Sequence, residues 1–193
     1  MNPLTSVRGT IISGFVLAIL VAIFLSPENS SLITRNLSIW LHVMFGVTWI
    51  GLLYYFNFVQ VPALKNANAD GTASGITKHV APLALLWFRW AALATWIAGA
   101  ALLGANFVPA FTLSGGYEAI GLGSWLGTIM LFNVWVLIWP NQQKILGLKP
   151  ASDSEKTSAR RIAFLASRTN TMLSIPMLFL MTNGLSHKGL IGL

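Results

Sequence analysis

The chain has 193 residues, of which 55% are hydrophobic and only 9% charged, against about a quarter charged in a soluble globular domain. So little polar surface cannot cover a core in water, and the lack of any cysteine excludes disulfides, thiolate metal sites and cysteine nucleophiles. The formal net charge of +7 lies mostly in segments between apolar runs, a pattern of membrane topology rather than of nucleic-acid binding.

Taken in chain order, the apolar runs predict five transmembrane helices, since a hydrocarbon core needs roughly 20 apolar residues of helix. The first covers about residues 10–25 and stops at Ser26-Pro27-Glu28-Asn29. It has Arg8 ahead of its apolar core but no clear small-x-small cleavage site, so an uncleaved helix is expected rather than a signal peptide. The second covers about 37–64, the third 82–107, the fourth 119–139, closing at Pro140-Asn141, and the fifth 162–183. No run alternates apolar and polar residues as a barrel strand does, so the expected fold is an all-α polytopic bundle, a single domain over 1–193.

Loop charge gives the bundle a direction. With the amino terminus cytoplasmic, that side carries Arg8, Lys65, Lys78, Lys144, Lys149, Lys156, Arg160 and Arg161, and the other only Arg35 and Lys188. The segment 141–161 is the one substantial polar loop. Ser152 or Asp153 would cap a short helix toward Arg161, and its basic residues would attract anionic lipid heads.

Small residues let helices approach closely in lipid, which marks Gly123 with Gly127, and Ala94 with Ala98 and Gly99, as candidate contact faces. The aromatic residues near span ends (Trp40, Trp49, Tyr54, Tyr55, Trp87, Trp90, Trp135, Trp139) read as interfacial belts, with a stacking cofactor box as the alternative.

Polar groups within the spans are the candidate ligand-binding residues. Counting helical rise from the cytoplasmic ends sets Asn57, Gln60, Arg89, Asn133, Arg168 and Asn170, from four helices, in one layer of the cytoplasmic half. No Asp or Glu lies in any span. The two guanidiniums therefore face an anion from outside the chain or snorkel to the interface. The anions considered are a small carboxylate or urate-like ligand, a haem propionate, a lipid phosphate and a partner's carboxylate. His42 stands apart near the outer end of the second span, sharing a face with Gly46, Trp49 and Leu53. A glycine one turn from an imidazole is the clearance that an axial haem ligand needs, so His42 is either a haem contact or a hydrogen-bonded interfacial histidine.

Several segments then carry a resemblance. They are Trp40-Leu41-His42-Val43-Met44-Phe45-Gly46-Val47-Thr48-Trp49-Ile50-Gly51; Trp87-Phe88-Arg89-Trp90 with Thr95-Trp96; Gly127-Thr128-Ile129-Met130 with Asn133; Pro140-Asn141-Gln142-Gln143-Lys144; and Asn170 with Leu173 and Pro176-Met177-Leu178-Phe179-Leu180-Met181. Together they resemble the amino-terminal membrane domain of the bacterial membrane-bound urate hydroxylase (urate oxidase) family, whose fuller members carry a cytochrome c domain. The resemblance implies a multi-pass protein of the bacterial inner membrane and a haem b as candidate cofactor. It also sets histidines where this chain has Leu86, Gly121 and Thr169, and an acid where it has Ala91, so that only His42 remains of that set. With no Cys-x-x-Cys-His haem attachment site, the chain reads as a shortened relative lacking the electron-accepting domain and not oxidising urate alone.

Two functions follow as expectations. One is a ligand-binding or redox-linked membrane module, with Arg89 and Arg168 toward an anion and His42 toward haem. The other is a non-catalytic accessory subunit, its small-residue faces and arginines meeting a partner membrane subunit. A transporter lacks support, since the spans hold no acids and no inverted repeat. No triad, carboxylate pair or phosphate loop marks a soluble enzyme.

Overall fold

The computed structural model describes residues 2–25 and 30–182, and side chains are described for all of these except 30–34. The predicted stop at 26–29, Asn183, His187 and Lys188 lie outside them. The described residues form an all-α structure of five long helices. α1 is Val7–Leu25. α2 joins Ser30–Tyr54, Tyr55–Gln60 and Val61–Ala69. α3 is Ala73–Phe111 and α4 is Glu118–Ile145, and α5 is Asp153–Thr182.

All five predicted helices form, and each is longer than expected, α1 by one turn at its start. Proline explains part of the error. Pro140 does not close α4, and Pro62 and Pro82 do not bound their helices either. A proline lacks an N–H and its ring crowds the carbonyl four residues back. At each of these three sites the helix widens by one residue just before the proline. Val61 N–H donates to Phe56 O, Ala81 to Ile76 O and Trp139 to Val134 O, each five residues back. These π turns (Tyr55–Gln60, Ile76–Val80 and Asn133–Ile138) carry the helix through the proline.

The start of α5 is a second correction. Instead of a short helix in a long loop, Ser152 caps one continuous 30-residue helix. Glu155 N–H donates to Ser152 Oγ (3.3 Å) while Ser152 N–H donates to Glu155 Oε2 (2.8 Å), a reciprocal capping box. These bonds, first the backbone one, then the Ser152 hydroxyl, then the charge of Lys144, hold the Glu155 carboxyl below its usual range.

Among the described residues, four helices, α1 to α4, have segments long and apolar enough to cross a membrane; α5, expected as a fifth span, is not among them. Arg168, Thr169, Asn170 and Thr171 interrupt its apolar run. Its buried positions are Ala159, Ala163, Ala166, Asn170, Ser174 and Met177, at helical spacing and mostly small or polar. They let α5 lie close against α4 and α2.

Close approach sets the packing. Gly123 faces Met181 and Leu180, and Gly127 faces Met177, so that predicted face is the seat of α5. α3 meets α2 through Phe88, Thr95 and Gly99. Phe88 packs edge-on to Phe56, Thr95 touches His42 and Gly46, and Gly99 touches His42. Gly104 (φ 51°) redirects the end of α3, so that Phe107–Phe111 lies on α4, where Trp125 Nε1 donates to Phe111 O at 3.0 Å. Trp49, Leu53, Phe88, Ala92, Met130 and Val134 form the centre of the core. By contrast, no residue of α1 is buried.

Candidate functional site

The three π turns border one cavity of about 750 Å³ between α2, α3, α4 and α5. Phe56, Asn57 and Gln60 come from the first turn, Thr77 from the second and Ile138 from the third. π turns are rare, and those inside α-helices occur frequently at functional sites. The walls are mainly apolar, including Leu85, Phe88 and Phe164, and Arg160 and Arg161 complete the lining. Burial grades from Asn57 and Phe88 at the inner end to exposed Asn68, Arg160 and Arg161 at the other. The cavity therefore opens where the α2–α3 and α4–α5 loops lie, which is the end that carries most of the basic residues.

The polar chemistry at the inner end is specific. Asn57 is 2% exposed, and its Nδ2 donates to Leu53 O (2.9 Å) and Ser167 Oγ (2.8 Å). Both amide hydrogens are used, so the orientation of the carboxamide is fixed and Oδ1 is left as an acceptor without a donor. Gln60 is 8% exposed, and its Oε1 is likewise without a donor. Unsatisfied buried acceptors each cost about 1–3 kcal/mol, so the inner end favours a guest with N–H or O–H groups.

The six residues expected in one layer divide into three groups. Asn57 and Gln60 line the cavity. Asn133 and Asn170 do not line it but bond each other: Asn133 Nδ2 donates to Asn170 Oδ1 (2.8 Å), and Asn170 Nδ2 to Met130 O (3.0 Å). Arg89 and Arg168 lie on neither. Arg89 is half-buried with its guanidinium 3.7 Å from the centre of the Trp139 ring, and exposed Arg168 lies 5.2 Å over Phe164. The basic residues at the cavity are instead Arg160 and Arg161, assigned to a lipid-facing loop in the sequence. The signal that could have found them is spacing: Arg160, Ala163 and Ser167 recur at helical intervals once α5 is extended back to Asp153.

Ser167, Asn170 and Ser174 continue a polar seam along α5. The Ser174 hydroxyl donates to Thr171 O (2.7 Å), so the Tyr54 hydroxyl, 3.0 Å away, donates to Ser174. Beyond it, Met177 and Met181 fill the space beside Gly127 and Gly123. That apolar packing closes the bundle beyond the seam.

His42 belongs to the α2–α3 contact. Its Nδ1–H donates to Thr95 O at 2.9 Å. A Cβ at Gly46 would stand 3.7 Å from Thr95 Cγ2, and one at Gly99 only 2.8 Å from His42 Cε1. The clearance expected beside Gly46 is thus filled by α3, and the residues around His42 do not fit a haem. The positions where the resemblance sets histidines (Leu86, Gly121, Thr169) and an acid (Ala91) differ in their surroundings. Leu86 and Thr169 are exposed, Ala91 is buried, and Gly121 is pressed against Ala110 O.

Residues 106–188 match the family model described as Urate oxidase N-terminal. The match relates the chain at a coarse level to urate oxidases over the end of α3, α4 and α5. It leaves out the segments around Trp40–Gly51 and Trp87–Trp96. No curated protein and no solved structure matches the chain.

Proposed function

We propose that the chain is a multi-pass protein of the bacterial inner membrane, amino terminus cytoplasmic, that binds a small organic anion of the urate type without transforming it alone. The membrane part is supported by the apolar side chains exposed along α1 to α4, such as Val16, Leu20, Val47 and Ile97, a surface that water would penalise. One observation carries the ligand. Two buried acceptors without donors, Asn57 Oδ1 and Gln60 Oε1, line the same cavity as Arg160 and Arg161 at its open end. Urate offers ring N–H donors at one edge and negative charge to a guanidinium. The cavity exceeds one such ring, so ordered water would share it. Its closed inner end favours binding over transport.

Urate titrated into detergent-solubilised protein should bind saturably, and Asn57→Leu should weaken binding about tenfold or more through loss of an oriented acceptor. A folded wild-type protein with no saturable urate binding would overturn the reading.

An accessory subunit is a second reading, favoured by α1, none of whose residues is buried although Phe15 packs edge-on against Trp40 of α2. The same preparation tests it, because a partner subunit would appear in the native mass. Given the filled space beside His42, its visible spectrum should lack a Soret band. A Soret band lost in His42→Ala would instead restore histidine-ligated haem.

A further inference from the structure

We propose that Arg89, held against Trp139, binds the phosphate of a membrane phospholipid on the outer face of α3 and α4. The inference rests on the membrane reading above but not on the cavity, which Arg89 does not line.

A guanidinium in an apolar span needs an acceptor, and among the described residues Arg89 has neither an ion pair nor a hydrogen bond. Its face is taken by the Trp139 indole at 3.7 Å. Such stacking holds the plane in place and leaves the N–H edges free, the geometry for a bidentate phosphate. Beside it, Trp90 packs edge-on to Trp135 at 5.3 Å, so two successive pairs tie α3 to α4 on this face. Trp87 and Trp90 remain about half exposed, as indoles at the headgroup level do.

Depth agrees with this. Trp139, against which Arg89 is held, lies six residues before the end of α4 at Ile145, or about 9 Å from the basic end at the helical rise. A lipid phosphate reaches that level. The basic residues at the same helix ends, Lys65, Lys78 and Lys144, would enrich anionic lipids there. Arg168 makes a looser contact, 5.2 Å over Phe164, and carries no such inference.

The test counts phosphatidylglycerol retained by the purified protein through a detergent wash, using native mass spectrometry. Wild type should keep one lipid that Arg89→Leu loses, with roughly tenfold weaker retention, as for the loss of one charge-assisted pair. Arg89→Lys and Trp139→Phe should fall between, the first without the fork and the second with a weaker π face. Trp139→Phe also keeps the test open if Arg89→Leu fails to fold. Equal retention in all variants would overturn the proposal. So would displacement of the lipid by inorganic phosphate, which would mark a soluble-anion site. Release of the protein from membranes by alkaline carbonate without detergent would instead defeat the membrane reading, a separate result.

Discussion

Gly121→Ala should destabilise the bundle by about 3 kcal/mol, at the upper end of what overpacking costs. A Cβ at this position overlaps the Ala110 carbonyl oxygen and crowds Leu113. The obstacle is backbone, which cannot swing aside as a flexible side-chain end can. The end of α3, Phe107–Phe111, would have to lift from α4 and strain the Trp125–Phe111 hydrogen bond. Gly127→Ala is the matched comparison. Its Cβ would meet Met177 Sδ at 3.7 Å, an ordinary contact with a pliable side chain, and the cost should be below about 1 kcal/mol. Unfolding in mixed micelles measures both. Equal losses would mean that the approach at Ala110 is not a constraint. The same geometry accounts for a departure from the resembled pattern, because no histidine fits where Gly121 stands.

The double substitution Arg160→Ala with Arg161→Ala should weaken urate binding about tenfold to a hundredfold at low salt while leaving stability nearly unchanged. Hydrogen bonds to charged groups contribute about 1.5–3 kcal/mol, but both arginines are exposed and their effect must be discounted for screening. The wild-type affinity should therefore fall with added salt, and the salt dependence should be smaller in the double variant. Isothermal titration at two ionic strengths reads both quantities. Urate binding that neither loses affinity nor changes its salt dependence would remove the arginines from the site, leaving Asn57 and Gln60 as its polar groups.

The cavity was partly legible in the sequence. Asn57 and Gln60 stood out because an amide in an apolar run is costly unless partnered, and both are at the cavity. Arg89 and Arg168 stood out by the same rule yet face outward. Hydropathy registers that a residue is polar within a span, but the direction of its side chain depends on which neighbour occupies which face. Arg160 and Arg161 were missed because they precede the apolar part of α5, where composition alone reads as loop. His42 illustrates the converse. The glycine one turn away was legible, but Thr95 and Gly99, which fill its face, come from α3, more than fifty residues along the chain.

The sequence by itself determined the helices. Apolar length and the lack of alternation require an all-α chain, and small residues at four-residue spacing marked the α4 face on which α5 sits, since these are local properties of hydropathy and backbone. What only the tertiary structure decided is where the helices continue and what they enclose. Proline marks a helix end by the donor it lacks, yet Pro62, Pro82 and Pro140 are each passed by a π turn, tolerated where neighbouring helices hold the chain in place. Those three turns meet around one cavity because α2, α3 and α4 bring them to the same end of the bundle. An unmet acceptor such as Asn57 Oδ1 arises only when Ser167, on a distant helix, has fixed the other side of its amide.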